Sequence, residues 1–404
     1  MISVEEALEQ VKQHARPRAT QTIRAADALG RVLATDIASD IDSPPHDKAL
    51  MDGYAVVASE IVRGVGLSIL EEVTAGDVPT KTVTSGTATR IMTGAPIPDG
   101  ADAVVMIERT ELVGVDQATV RINADNAEPG LNIMPRGQSV RTGDIVLRSG
   151  RMIRPIELGV LAECGATEIA AYCRPSVAIL STGNELVPPE VRPQAGQIRN
   201  SNGPMLEALV QRAGCKTVNL GVGRDERDEL ERLVGLGLEE DVLVLSGGVS
   251  AGVLDLVPEV LAANGVEQVF HKVHLKPGKP VWFGIKRDSR GDRLVFGLPG
   301  NPVGSLVCFE LFVRPALASL AGQEFSNIER RTARLGTAHT RFSDRPTYFP
   351  ARLFERDGEL LVDALAWKGS ADLRTLADAN CLALFPPSDI AFAAGDAIEV
   401  YLLQ

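Results

Sequence analysis

A chain of 404 residues with 45% hydrophobic content can bury several cores, and its length points to two to four domains. A net charge of −12 excludes a general nucleic-acid surface, which needs a basic footprint to release counterions, so any polyanion must meet a local basic patch. Met1-Ile2-Ser3-Val4-Glu5-Glu6 has no basic flank or apolar segment, and no uninterrupted apolar run approaches the span of a bilayer; the expectation is a cytoplasmic protein without membrane contact.

Helical runs at 3–13 and 155–164 bracket a strand-rich, glycine-rich middle from about 42 to 130. That pattern predicts one domain inserted into another: a discontinuous mixed N-terminal domain from residues 1–41 with 131–172, and an inserted strand-rich domain at 42–130. Within the insert, Met51-Asp52-Gly53-Tyr54-Ala55-Val56 and Met92-Thr93-Gly94-Ala95-Pro96-Ile97-Pro98 join a small polar side chain to glycine in a strand-rich context, an unusual composition for simple turns.

From Arg174 to about Gly322, strand and helix alternate. Strand-like runs at 176–180, 217–220, 241–245 and 294–297 are separated by helical stretches near 203–213, 226–236, 255–264 and 303–318. Several strands are apolar on both faces, as buried parallel strands are, so residues 173–326 read as a doubly wound α/β domain. Asn200-Ser201-Asn202 offers N-caps for the first of these helices, and Gly214 sits where a C′ glycine belongs. The pairs Gly221-Val222-Gly223 and Gly235-Leu236-Gly237 lack the third glycine of a dinucleotide fingerprint and read as turns. Beyond about residue 327, Asp357-Gly358 between Arg352-Leu353-Phe354-Glu355 and Glu359-Leu360-Leu361-Val362 signals a hairpin, and 327–404 reads as a small all-β domain.

Ligands of doubly wound sheets bind beyond the carboxyl ends of the strands, and the loops there are distinctive. Leu298-Pro299-Gly300-Asn301-Pro302 ends a strand and opens a helix, aiming backbone N–H groups and the positive end of the helix dipole at one spot suited to an anion. Ser246-Gly247-Gly248-Val249-Ser250-Ala251-Gly252 and Lys276-Pro277-Gly278-Lys279-Pro280 are built alike, so the anion carries more than one charged group. Ser246 and Ser250 add hydroxyls to a glycine cradle. Lys276 and Lys279 offer two cations from one stiff turn. Glu185, Asp225 and Asp255 lie near these loops and would repel a phosphate unless Mg²⁺ stands between, although a carboxylate also suits an amino-substituted heterocycle. Gly248-Val249-Ser250-Ala251-Gly252 additionally matches the nucleophile elbow of serine hydrolases, for which Asp255 or Asp292 with His271, His274 or His339 would have to complete a triad. Five cysteines without a C-x-x-C pair suggest neither a disulfide framework nor a zinc site. His271 and His274, three apart in a strand-like run, face opposite ways and make a poor ligand pair.

Taken together these strings resemble the molybdopterin molybdenumtransferase family, the MoeA and gephyrin E-domain group. The resemblance runs end to end through Met51 to Ala55, Ile91 to Pro96, Ser181-Thr182-Gly183-Asn184-Glu185-Leu186, Ser246 to Gly252, Lys276 to Pro280 and Leu298 to Pro302. It implies an α/β multidomain fold: a MogA-like doubly wound domain, a strand-rich insert, a mixed N-terminal domain and a C-terminal β-barrel, assembled as a homodimer whose active cleft is shared between subunits. The implied activity is the last step of molybdenum cofactor assembly, in which adenylylated molybdopterin is hydrolysed with Mg²⁺, AMP is released and molybdate enters the dithiolene. Asp52 and Thr93 would enter the cleft from the partner subunit. Glu185, Asp225 and Asp255 would line it as Mg²⁺ or pterin ligands. Lys276 and Lys279 would hold phosphate or molybdate, with Ser246, Gly247, Gly248, Ser250, Ser370 and the Pro299, Gly300, Asn301, Pro302 loop completing the anion site. Transient contact with other cofactor-assembly proteins or apo-molybdoenzymes is implied too. The chain departs from the family's pattern at Lys48-Ala49-Leu50, at Gly304, and at Pro350, where the family has an arginine and Arg352 lies nearby. A divergent paralogue that carries molybdopterin without transferring the metal is the alternative, and a serine hydrolase using Ser250 the third.

Overall fold

The computed structural model describes residues 1–248, 256–289, 291–325, 329–340 and 343–403. Helix α1 (Val4–His14) opens with a capping box, Ser3 accepting from the Glu6 amide while Glu6 accepts from the Ser3 amide. Strand β1 (Thr20–Arg24) pairs antiparallel with a strand far along the chain, introduced below as β8.

Between them lies a six-stranded sheet of β2 (Gly53–Val56), β3 (Gly66–Val73), β4 (Thr87–Ile91), β5 (Ala103–Met106), β6 (Thr110–Val113) and β7 (Thr119–Ile122), in the order β5-β2-β4-β3-β7-β6. Its own core is built on Tyr54, Leu67, Val105, Val120 and Ile122. After the insert come α2 (Pro155–Glu163) and β8 (Glu168–Tyr172).

The α/β sheet is formed by β9 (Ser176–Thr182), β10 (Lys216–Gly223), β11 (Val242–Ser246), β12 (Glu267–His271), β13 (Trp282–Lys286) and β14 (Arg293–Leu298), ordered β10-β9-β11-β14-β13-β12. β9, β10, β11 and β14 run parallel, and β13 is antiparallel to both its neighbours. The sequence reading gave the four parallel strands, and the structure adds β12 and β13 at one edge. Period-two alternation sends Val177 and Ile179 to one face and Ala178 and Leu180 to the other. Helices α3 (Asn202–Arg212) and α6 (Pro302–Leu320), with α1, cover the first face; α4 (Arg227–Gly237) and α5 (Val257–Ala263) cover the second. This is the doubly wound arrangement expected.

Three local details differ from the sequence reading. Asn202 does not cap α3: its side chain turns inward, and Asn200 Oδ1 instead accepts from the Gly203 amide at 3.0 Å, while Gly214, at φ 75°, does occupy the C′ position. Neither glycine pair is a turn: Gly221 and Gly223 lie in β10, and Gly235 and Gly237 belong to α4, where the helix packs close on Leu243 of β11. α6 is long and apolar enough to cross a membrane by length and composition, with a mean hydropathy of 1.5, but 89% of that window is buried inside the protein. It relaxes into a π-turn at Phe309–Val313, where fully buried Glu310 is paired with both Arg212 and Arg314.

The C-terminal strands β15 (Arg330–Leu335), β16 (Thr347–Arg356), β17 (Glu359–Ala364), β18 (Cys381–Phe385) and β19 (Ala397–Leu402) close into a barrel. β16 and β17 form the expected hairpin, with Asp357 and Gly358 at φ 53° and 79° as a two-residue turn requires. The barrel core is continuous with the first-face core of the α/β sheet.

Candidate functional site

Two adjoining cavities lie at the carboxyl ends of the parallel strands. The first, about 490 Å³, is walled by the loops after β9, β10, β11 and β14 and holds Glu185, Asp225, Ser246, Gly247, Gly248 and the 299–302 loop. Gly247 and Gly248 have φ of 96° and 65°, and an alanine Cβ at 247 would stand 2.6 Å from the Thr182 carbonyl oxygen. The glycines therefore let the backbone turn tightly against β9. Asn202 ties the cradle together, its Nδ2 donating to Ser246 Oγ at 2.7 Å and to the Gly300 carbonyl at 2.8 Å. Buried Thr182 Oγ1 and Asn202 Oδ1 have no partner among the described residues, and both side chains belong to the cavity wall. Unpaired buried polar atoms at a cavity point to a bound ligand or ordered water.

Of the amides at the start of α6, Val303 N–H is committed to the Ser370 carbonyl at 3.0 Å, and Pro299 and Pro302 have none. The donors left for an anion on that loop are Gly300 and Asn301, fewer than the sequence suggested.

The second cavity, about 380 Å³, lies between the α/β domain and the barrel and holds Lys276, Lys279 and Ser370. The 276–280 loop is stitched to the barrel, the Lys276 amide donating to the Pro346 carbonyl at 2.9 Å and its carbonyl accepting from the Tyr348 amide at 2.8 Å. Gly278 allows the close packing beneath, since a Cβ there would stand 2.5 Å from Cys308 Sγ. Gly304 serves the same contact; a Cβ would approach that of Pro299 to 3.3 Å, which accounts for glycine at this position. Burial pushes the Cys308 thiol well above its usual range, so this cysteine is packing rather than chemistry.

The barrel brings residues to this cavity that sequence reasoning missed. Arg345 is the third cation, its Nη1 donating to the Leu275 carbonyl at 3.2 Å. The expected stand-in, Arg352, is exposed and pairs across the hairpin with Asp363. Strand parity is the reason: Thr347 and Phe349 face the cavity, so even-numbered positions on β16 face away. Behind the cations lies an aromatic floor in which Phe349 meets Trp367 at 4.9 Å and His339 stacks on Phe385 at 3.9 Å. Pro280, Pro299 and Asn301 belong to both cavities, so a carboxylate-bearing chamber and a cation-bearing chamber communicate.

Asp52 and Thr93 line neither cavity of their own chain. The antiparallel register Gly53↔Ile91 brings them together, with Asp52 Oδ1 accepting from Thr93 Oγ1 at 2.6 Å and from its amide at 2.7 Å. The hydroxyl bond, then the amide bond, hold the exposed Asp52 carboxyl below the usual carboxylate range. Ser250 and Asp255 lie outside the described residues. The carboxylate chamber, onto which Ser246, Gly247 and Gly248 open, has no histidine in its described wall.

For Mg²⁺, the donor chemistry fits a shared site. Among the described residues no cluster of three or more acidic, histidine or cysteine side chains is suited to holding a metal alone. Mg²⁺ usually takes one or two carboxylates and completes its octahedron with phosphate oxygens and water, and Glu185 and Asp225 on one wall are the two carboxylates that could supply such a share.

Comparison with known proteins agrees with this architecture. Residues 2–165 match the MoeA N-terminal region (domain I and II), 178–319 a probable molybdopterin binding domain, and 332–403 the MoeA C-terminal region (domain IV). A molybdopterin molybdenumtransferase of Staphylococcus aureus is 33% identical over 415 aligned residues, covering 100% of this chain and 96% of the relative. The crystal structure of a molybdopterin biosynthesis moea protein from Pyrococcus horikosii superposes with a TM-score of 0.84 at 32% identity, covering 100% of this chain and 99% of that one. A second structure, of a molybdopterin biosynthesis moeA protein from Pyrococcus horikoshii OT3, gives 0.81 at 28% identity with both chains covered completely. A fold, a loop set and a full-length likeness that all coincide leave one assignment: the chain belongs to the MoeA family of molybdopterin molybdenumtransferases.

Proposed function

We propose that this chain performs the final step of molybdenum cofactor biosynthesis: Mg²⁺-assisted hydrolysis of adenylylated molybdopterin, with release of AMP and transfer of molybdate to the dithiolene. The observation that carries this reading is the junction of the two chambers at Pro280, Pro299 and Asn301, one bearing Glu185 and Asp225 and the other Lys276, Lys279 and Arg345. A pyrophosphate and a separate oxyanion must meet on one substrate, and adjoining chambers of opposite charge suit that task.

Glu185 and Asp225 would hold Mg²⁺ together with the pyrophosphate oxygens. When bound there, Mg²⁺ would supply charge neutralisation and Lewis-acid polarisation at the phosphate. The Gly247–Gly248 cradle and the Gly300 and Asn301 amides orient the phosphate. Lys276, Lys279, Arg345 and Ser370 receive molybdate, a substrate, and hold it toward the dithiolene. Asp52 and Thr93, which line neither cavity of their own chain, would complete the cleft across a homodimer; fixed and ionised by Thr93, Asp52 would act there as a constant negative charge. Docking with other cofactor-assembly proteins or an apo-molybdoenzyme belongs to the same proposal, as does a cytoplasmic setting.

The test is AMP release from adenylylated molybdopterin by the purified protein, with and without molybdate and Mg²⁺, followed by activation of an apo-molybdoenzyme. Release that needs both ions and yields active cofactor supports the transferase; tight binding without release favours a molybdopterin carrier. Arg345→Ala is expected to weaken molybdate binding about ten-fold, with a loss that shrinks as salt rises, because one charge-assisted contact among three cations is removed. Molybdate titration at two ionic strengths checks it.

A further inference from the structure

The cation chamber on the barrel side has an imidazole in its wall, His339, that the proposed function leaves without a task. We propose that His339 is the proton shuttle of metal insertion, taking a proton from a dithiol sulfur of the substrate and passing it to the oxide that leaves molybdate; this rests on the proposed function above and deepens it.

The chemistry of insertion sets the requirement. When molybdate joins a dithiol, two S–H bonds break, two Mo–S bonds form, one Mo–O bond breaks, and both protons depart with that oxide as water. Molybdenum stays Mo(VI), so neither oxidant nor reductant is consumed. A thiol, with an ordinary pKa of about 8.5, is mostly protonated at neutral pH, and an oxide leaves poorly until it is protonated, so a group that both accepts and gives a proton near neutrality speeds the exchange. Lys276, Lys279 and Arg345 are cations that can only donate, and no carboxylate belongs to the described wall. His339 is the remaining titratable side chain there, and imidazole does both.

The barrel holds this imidazole firmly. His339 is 7% exposed, stacks on Phe385 at 3.9 Å and meets the edge of Phe349 at 4.8 Å. Its amide donates to the Phe392 carbonyl and its carbonyl accepts from the Phe392 amide, both at 2.9 Å, so the backbone is pinned as well as the ring. Strand β16 links it to the cations: Thr347 bridges Lys276, and Phe349, two residues and roughly 7 Å farther along, faces the same cavity beside His339. At about 380 Å³ the cavity exceeds a tetrahedral oxyanion, and its remainder is bounded by His339, Phe349, Trp367 and Phe385. Aromatic rings are favourable neighbours for sulfur. The oxyanion thus belongs at the lysines and Arg345, the dithiol sulfurs against the rings, and His339 borders the space the sulfurs fill. The nearby acids do not compete for the role. Asp344 and Asp389 are exposed, Asp344 pairs with Arg345 at 3.3 Å, and His274, whose charge acts on Asp344, does not line the chamber.

Single-turnover insertion by the full chain, started with adenylylated molybdopterin and molybdate and read as activation of an apo-molybdoenzyme, tests this. His339→Phe keeps a ring against Phe385 but carries no proton; it is expected to slow insertion about 10²-fold or more while molybdate affinity, measured by calorimetry without turnover, stays within about two-fold. The wild-type rate should fall as pH drops through the ordinary imidazole value, about 6.5, and His339→Phe should lack that limb, keeping only the rise toward about 8.5 as the thiol ionises. Added imidazole should restore part of the rate to His339→Ala and none to His339→Phe, whose ring fills the space. Wild-type insertion by His339→Phe overturns the proposal. So does an acid limb that persists in that variant, and so does a rate loss matched by an equal loss of molybdate affinity, which would make His339 a packing residue. Wild-type protein that inserts no molybdenum fells the transferase reading and the shuttle together; normal wild-type insertion with an indifferent His339→Phe fells the shuttle alone.

Discussion

Glu185→Ala is expected to slow AMP release by about 10²–10³-fold, the usual cost of deleting one preorganised electrostatic contact to a reacting group. The Glu185 carboxylate is exposed at the mouth of its chamber, makes no hydrogen bond with the described residues, and shares the wall with Asp225. On the wall of the proposed phosphate site, where Arg199 is the one described basic residue beside them, two carboxylates would repel the phosphate unless Mg²⁺ lies between, so each would depend on the other for function. Three results follow from that dependence. The Mg²⁺ concentration giving half-maximal rate should rise in Glu185→Ala, Asp225→Asn should behave alike, and the double variant should be little worse than either single one. Because Glu185 is exposed, the thermal midpoint should hardly move. Wild-type rates at low Mg²⁺ in both single variants would overturn the assignment of these carboxylates.

Gly53→Ala is expected to destabilise the inserted domain by about 3 kcal/mol, at the upper end of overpacking effects. An alanine Cβ at 53 would lie 2.0 Å from the Val105 carbonyl oxygen and 3.0 Å from the Met106 Cα, both backbone atoms of the neighbouring strand. No rotamer relieves a clash with backbone, so β2 and β5 must part. Their separation breaks the bond from the Ile107 amide to the Asp52 carbonyl, and Asp52 moves with it. Activity should therefore fall along with stability. Gly159 in α2 is the control: nothing lies within 4 Å of its added Cβ, and alanine there should stabilise by about 0.5–1 kcal/mol through helix propensity. Urea unfolding of the three proteins, read alongside AMP release, checks both signs. Equal stabilities would refute the close-approach explanation for glycine in Met51-Asp52-Gly53-Tyr54.

Much of the α/β domain was legible because its signals are local. Runs apolar on both faces, helical periodicity between them, and Asp357-Gly358 in a hairpin act over a few residues, where backbone preference and burial pattern decide the outcome. The glycine-proline loops were likewise visible as loops, and the strand-end rule correctly gathered 181–185, 246–248 and 298–302 around one chamber. The antiparallel strand Trp282–Lys286, which lies inside the sheet between β14 and the edge strand β12, was not found, because its short apolar run sits between a proline-glycine loop and a charged segment that both read as breakers.

What tertiary structure alone decided is where the charges meet. Lys276 and Lys279 were expected beside the carboxylates, yet the backbone bonds from Lys276 to Pro346 and Tyr348 carry them to the barrel side, in a second chamber. Arg345 was within a segment already singled out, but choosing it over Arg352 needs the parity of β16 relative to the cavity, which no spacing in the sequence reveals. The hydrogen-bonded pair Asp52 and Thr93, 41 residues apart, depends on the register of β2 against β4. Sequence by itself determined the family, the α/β core and the loops that wall the first chamber, because motif, periodicity and turn geometry are short-range. The division into chambers and the third cation arise from contacts between segments tens of residues apart, which only the packed chain brings together.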